Sequence, residues 1–589
     1  MRRFVVGLFA AIGIAVVLVV AGLGVAIWQL AGSKPSLPEM IVLNADLSRG
    51  LEAGAGRDPL SEVVFGGRLT LRGFLDALVR AGDDPRVKGL YARLGGDAPG
   101  LATCQEVRDA IRDFRAKGKF AIGFADSFGE FGPGTRPYYL ATAFDEIWLQ
   151  PLGSLGLIGL RSELPFFRGT LDKLGIVPSF AHREEYKTAT NTLTETRMTA
   201  AQREQVEALL NASEGQIVRG IAAARKLTEA EVTALIDRGP FVADEALAAH
   251  LVDRIGYRDE AVARATQRAG AGAKFVAPSR YLEGAGKPYD SGPKIALIYG
   301  TGLITAGGGA ESLLSATGEF TARKMARAFR QAVADKEVRA ILFRIDSPGG
   351  SAVASESIWR EVARARQQGK PVVVSMGNVA GSGGYYVAAP ADKIVAEPGT
   401  LTGSIGALAG KVVVAELLHK LGVTSDGATR GANAAMFSEF EDFSPAGRDR
   451  LNAFLDNVYR GFKDHVAAGR HLSADQVEAA AKGRVWSGEE AKEKGLVDEL
   501  GGYDAAIRLA KEAGRIPAAA EFKLAVFPRE KTLLELLYDR LAEPEGDSDS
   551  AMPSAAQSRL AALAAVLSDI AALGGDRGIL RMPPLGEIR

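Results

Sequence analysis

The chain has 589 residues, more than one hydrophobic core ordinarily serves, so two or more domains are expected. Its 71 basic and 71 acidic side chains give a net charge of zero with no basic block, which argues against nucleic acid as a partner. A single cysteine, Cys104, excludes an internal disulfide and a cysteine-built zinc cage and leaves the redox compartment open.

Met1-Arg2-Arg3 is followed by Phe4 to Leu30 without a charge. That run exceeds the roughly 20 apolar residues needed to cross a bilayer and the roughly 7–15 of a cleavable signal-peptide core. Residues 1–33 are therefore expected to form a cytoplasmic stub and an uncleaved transmembrane signal anchor, with the rest of the chain exported. A buried core helix is the alternative, but the stretch has no amphipathic face.

From residue 40 the sequence contains itself twice. "RPYYLATAFDEIWLQPLGSLGLIG" and "GGYYVAAPADKIVAEPGTLTGSIG" align without insertion. They bring Tyr138 onto Tyr385, Asp145 onto Asp392, Ile147 onto Ile394, Gly156 onto Gly403 and Gly159 onto Gly406. Upstream, "VKGLYARL" from Val87 matches "VRAILFRI" from Val338, and downstream "ALAAHLVDRIG" from Ala246 echoes "AKEKGLVDELG" from Ala491. Two copies of one domain are expected, over residues 40–285 and 292–525, joined by the Gly/Pro-bearing "GAGKPYDSGPK". Residues 526–589 form a tail, with a flexible acidic stretch, "EPEGDSDSAMPS", before an amphipathic helix, "SRLAALAAVLSDIAAL".

Within the second copy, "VRAILFRI" reads as a strand and "DSPGG" as a turn. "SAVASESIWREVARARQQGK" reads as a helix stopped at Gly369, "PVVVSM" as a strand, "GYYVAAPA" as a short helix and "DKIVA" as a strand. This alternation predicts an α/β fold with a parallel sheet and right-handed crossovers, its ligands gathering at the carboxyl ends of the strands. Both glycine-rich turns lie there. Ser382, in "NVAGSGGYY", is either a small turn residue or a nucleophile projecting at the sheet edge, with the Gly383 amide beside it. Gly349 and Gly350, in "DSPGGS", expose backbone amides that a substrate could approach closely. Amides from both turns aimed at one point would make an oxyanion hole.

A nucleophile needs a base. None of the five histidines, His182, His250, His419, His465 and His471, is placed by a motif, and the last three sit on helical stretches that read as surface. A desolvated lysine is the other option. In the repeat alignment Ser382 falls on Thr135, while Lys187, in "REEYKTA", falls on Ala434. One copy keeps a lysine without the serine and the other a serine without the lysine, as an active site shared between the copies would produce. The alternative for Lys187 is a solvated charge beside Arg183, Glu184 and Glu185.

"RIDSPGGSAVASE", "NVAGSGGYYVAAPADKIVAEPGTLTGSIG" and "REEYKTA", in this order and division, resemble the long tandem-repeat bacterial form of signal peptide peptidase A (protease IV), of peptidase family S49. The resemblance covers most of residues 40–525. It implies two tandem ClpP/crotonase-like (spiral ββα) domains after an N-terminal transmembrane helix, in a homotetrameric dome on the bacterial inner membrane, with the bulk of the chain periplasmic. It further implies a serine endopeptidase with a Ser–Lys dyad, without cofactor or metal, that degrades remnant signal peptides and other hydrophobic peptides. Carried over, Ser382 is the nucleophile, Lys187 the general base, and Gly350 and Gly383 the oxyanion amides, supported by Gly349. Ser404, in "TGSIG", either holds the lysine amine in line or serves as a turn hydroxyl. The chain departs from the family at Gly381, where relatives often carry alanine or serine, and in its acidic tail. Two rival readings use the same turns. A crotonase-like acyl-CoA enzyme would need no serine at 382, and a non-catalytic membrane scaffold would use the glycines structurally.

Overall fold

The computed structural model describes residues 35–52, 69–96, 98–307, 320–529 and 580–582. The expected anchor, residues 1–33, and the expected tail helix lie outside them. Among the described residues no helix is long and apolar enough to cross a membrane.

β1 (Ile41–Asp46), β2 (Val87–Leu94), β3 (Phe120–Ala125) and β4 (Glu146–Leu149) are short, largely buried runs, as strands sandwiched between other layers must be. After β4 the chain leaves the sheet to form β5 (Val177–His182) and returns with β6 (Arg254–Ile255) and β7 (Lys274–Val276). The resulting order is β6-β4-β3-β2-β1-β7, and every pair is parallel.

The second half repeats this plan with β8 (Lys294–Thr301), β9 (Val338–Ser347), the two-residue β10 (Gly349–Gly350), β11 (Val372–Gly381), β12 (Lys393–Ala396), β13 (Leu401–Gly403), β14 (Leu408–Val413), β15 (Val485–Ser487), β16 (Glu499–Leu500) and β17 (Lys523–Phe527). Parallel pairing joins β16, β12, β11, β9, β8 and β17 in the order of the first sheet. β11 is longer than the expected "PVVVSM". Its first half pairs with β12, and its last residues, Val379–Gly381, pair with β13 and so extend the strand to the edge of Ser382. "DSPGG" is likewise more than a turn, because Gly350 bridges to Ile304.

The polar contacts explain why the repeat is visible in sequence. Asp145 accepts from the Ala121 amide and pairs with Arg115, as Asp392 accepts from the Val372 amide and pairs with Arg366. Asp253 and Asp498, of the two "LVD" blocks, accept from the amides of Ile147 and Ile394, each at 2.8 Å. The buried hydroxyls of Tyr138 and Tyr385 donate to the carbonyls of Leu251 and Leu496. Each matched residue pins a strand end whose backbone groups would otherwise be buried unpaired.

The two halves share one core. Leu43, Leu90 and Phe74 of the first half pack in the same cluster as Leu297, Leu342 and Val373 of the second. β5 pairs antiparallel with β14 over its whole length, His182 opposite Leu408, which stitches an arm of the first half onto the second. Helices α1 (Leu101–Ala116), α2 (Thr135–Ala141), α3 (Ala200–Arg225), α4 (Ala352–Gln367), α5 (Gly383–Ala388), α6 (Pro445–Arg470) and α7 (Tyr503–Ala513) complete the layers used below.

Candidate active site

Ser382 stands between the end of β11 and the start of α5. Its amide donates to the Gly403 carbonyl at 2.8 Å, and its own carbonyl accepts from the Tyr386 amide at 2.9 Å. These anchors hold it at φ 54°, ψ −116°, a conformation that costs a residue with a Cβ on the order of 1–3 kcal/mol. The strand-to-helix corner is therefore strained at the residue that carries the hydroxyl.

Lys187 lies on the loop after β5. Pairing of β5 with β14 delivers this loop to the second half, where the Arg183 amide donates to the Ala407 carbonyl and the Tyr186 amide to that of Lys482. Lys187 is fully buried, which excludes the solvated-charge reading. Arg183, by contrast, reaches Asp456. The Lys187 Nζ lies 2.7 Å from Ser382 Oγ, 2.9 Å from the Ser404 carbonyl oxygen and 3.0 Å from Ser404 Oγ. Burial pushes the amine well below the usual lysine range. Ala434, its partner in the repeat alignment, is exposed, and Thr135 is spent on a hydrogen bond to the Gly159 carbonyl.

The glycines are close-fitting. A Cβ on Gly350 would strike the Ile304 carbonyl at 2.1 Å, and one on Gly383 would lie 2.7 Å from Ser355 Oγ and 3.1 Å from the Gly350 nitrogen. The two turns expected to supply amides thus lie close together beside Ser382, with no room for a side chain between them. Gly349 donates its own amide to Ser347 Oγ at 3.1 Å.

Sequence reasoning missed what cradles the lysine. Gly483 (φ 76°) leaves no room for a Cβ, which would sit 2.6 Å from the Lys187 nitrogen, and one on Gly406 would lie 3.2 Å from Lys187 Cδ. The neighbouring Arg484 carbonyl accepts from the Ser404 amide at 2.7 Å. Gly406 was visible in the repeat alignment, but "AAKGRVW" carries no local signal for Gly483. Gly483→Ala is expected to shift Lys187 and lower kcat/KM on a peptide substrate about 100-fold, the cost of a misplacement near 1 Å. Unchanged turnover in the folded variant would remove this role.

The histidines stand apart. His465, expected at the surface, is half-buried, stacked on Trp359 at 3.8 Å and bonded to Glu356, because α6 packs its ring against Tyr386. Cys104 is buried too, which pushes its thiol up to about 12 and leaves it unreactive.

The sequence pattern of peptidase family S49 matches residues 133–272 and 364–516. The chain is 32% identical over 541 residues to "Protease 4" of Salmonella typhi, spanning 89% of this chain and 83% of that one. The chain belongs to peptidase family S49. "Serine protease SPPA, chloroplastic" of Arabidopsis thaliana is 31% identical, with 80% of this chain and 69% of that chain covered. Among solved structures, a ClpP1 mutant from Listeria monocytogenes overlaps 36% of this chain and 94% of its own, at 14% identity and a TM-score of 0.22. As a member of family S49 the protein is a serine peptidase acting on peptide bonds, and the acyl-CoA and scaffold readings fall away. The two matched stretches contain Lys187 in one and Ser382, Ser404 and Gly483 in the other, whereas Gly349 and Gly350 lie outside both.

Proposed function

We propose that this S49 peptidase is a membrane-anchored endopeptidase that degrades signal peptides after their release, using Ser382 as nucleophile and Lys187 as general base. The observation that carries the dyad is the buried amine 2.7 Å from the strained serine hydroxyl. A neutral amine has two hydrogens and one lone pair. The hydrogens go to the Ser404 carbonyl and hydroxyl, and the lone pair takes the Ser382 proton as Oγ attacks the scissile carbonyl. The amides of Gly350 and Gly383 receive the developing oxyanion. The resulting lysine ammonium protonates the leaving nitrogen, and water deacylates by the reverse path. Signal-peptide substrates are supported by a relative from Enterococcus faecium, 34% identical over 223 residues, whose name is that of a signal peptide peptidase, and by the apolar side chains flanking Gly381.

The uncharged run Phe4–Leu30 supports a single-pass anchor in the bacterial inner membrane, with the domains at 40–285 and 292–525, built as ClpP/crotonase-like spirals, in the periplasm. A homotetramer is supported by the arm. β5 of the first repeat pairs with β14 of the second, while residues 161–166 and 424–429, which match β14 and β5 in the repeat alignment, bear no strand pairing among the described residues. If these two segments pair between neighbouring chains as β5 and β14 pair within one, the contact recurs from chain to chain until a ring closes. A monomeric mass in detergent would count against it.

A fluorophosphonate probe tests the nucleophile directly. Labelling is expected on Ser382 alone and at a strongly reduced rate in Lys187→Ala. Label on another serine, or none on the folded protein, would defeat the assignment.

A further inference from the structure

We infer that residues 580–582 are a resident occupant of the peptide-binding cleft and hold the peptidase in a self-blocked state. This inference rests on the reading of Ser382 as the peptidase nucleophile and adds the regulation of that site. β18 (Leu580–Arg581) pairs antiparallel with β10, Gly349 opposite Arg581 and Gly350 opposite Leu580, on the strand that carries a proposed oxyanion amide. The Met582 amide continues the ladder by donating to the Pro348 carbonyl at 2.6 Å. Addition of an extended strand to an open edge is a general mode of peptide recognition, with main-chain bonds giving affinity and a side-chain pocket giving selectivity.

Met582 supplies the side chain. It is 7% exposed and packs with Leu209 of the first repeat and Val379, Leu401 and Val485 of the second. Its thioether lies directly over Gly381, the residue before Ser382, where a Cβ would come within 2.5 Å of the sulfur. A side chain at residue 381 would therefore force Met582 out of this position, so the bare backbone of Gly381 and the seat of Met582 fit each other. The pocket needs both repeats, as the dyad does, and a flexible unbranched side chain suits a site of irregular shape.

The sequence continues from Met582 with Pro583-Pro584. A bond to proline is a tertiary amide whose nitrogen carries ring carbon in place of hydrogen, and the fixed ring restricts the residue before it. A segment that fills the cleft ahead of such a bond is a poor substrate and a durable plug. Being part of the chain, it competes with outside peptide as an intramolecular ligand, whose effective concentration does not fall on dilution.

The test uses the full chain in detergent, with Ser382→Ala to prevent turnover, and a fluorescein-labelled peptide of sequence Gly-Ile-Leu-Arg-Met-Pro-Pro, that of residues 578–584. Met582→Asp, and separately removal of residues 580–589, are each expected to tighten probe binding by about tenfold, the factor for a cleft self-occupied about nine-tenths of the time. The same two changes with Ser382 intact should raise kcat/KM on an apolar fluorogenic peptide by a similar factor. Equal probe affinity in all three proteins would overturn the inference, and with turnover still dependent on Ser382 it would leave the peptidase reading standing. Tighter binding without any Ser382-dependent turnover would instead uphold the occupant and sink the catalytic assignment.

Discussion

Lys187→Ala is expected to lower kcat/KM on an apolar fluorogenic peptide by about 10⁴-fold, the upper end for loss of a positioned general base. Among the described residues the only side-chain nitrogen recorded against Ser382 Oγ is Lys187 Nζ. Ser382→Ala should be as inactive, and the double variant no worse than either, since the two act as a unit. The parent's pH profile should rise through a limb lying below the usual lysine range, because burial favours the neutral amine that the reaction needs. Stability carries the opposite sign for the same residue. With its folded pKa depressed, Lys187 binds a proton in the unfolded chain that it does not bind in the folded one, so its burial costs stability at pH values below about 10.4, the ordinary lysine pKa. Lys187→Met should therefore raise Tm at pH 7, with the gain shrinking as pH approaches that value. An active Lys187→Ala, or a Lys187→Met gain that does not change with pH, would contradict the buried neutral amine.

The second large effect concerns the join between the halves. Glu106 on α1 meets Arg344 on β9 at 2.8 Å, their side chains 4% and 3% exposed. The Tyr503 amide donates to Glu106 at 2.6 Å, Arg344 also donates to Ser375 Oγ, and its guanidinium lies 4.5 Å from the Tyr503 ring centre. Glu106→Ala strands the arginine charge in the interior and is expected to cost about 3–5 kcal/mol, whereas replacing both partners by apolar residues of similar volume should be close to neutral or stabilising. Urea denaturation of the single and paired variants reads the difference. A loss well under about 1 kcal/mol for Glu106→Ala would mean that water reaches the pair. The consequence for function is direct, because Asn378 on the same face exchanges hydrogen bonds with Thr103 at 2.9 and 3.1 Å, only four residues before the nucleophile. Loosening this seam should also loosen the meeting of Lys187 and Ser382.

Much of this protein was legible in its sequence because the features concerned are local. The duplication showed because each copy must pin its own strand ends with Asp145 or Asp392 and bury its own tyrosine against an "LVD" carbonyl, and these demands repeat with the fold. Ser382 was a candidate because a strand-to-helix corner flanked by glycines is a property of a few consecutive residues. Tertiary structure decided the rest. Lys187 and Ser382 are 195 residues apart, and nothing in "REEYKTA" distinguishes a buried amine from its charged neighbours. Only the pairing of β5 with β14 carries that loop into the second half, where the close approach of Gly483 seats the lysine backbone. The seat of Met582 over Gly381 is equally silent in sequence, since it depends on an open strand edge at β10 and on a pocket drawn from both repeats. Backbone conformation and strand-end pairing are set by near neighbours and leave a pattern along the chain. Burial of a charge and occupancy of a cleft are set by whatever the folded chain brings near, and they leave none.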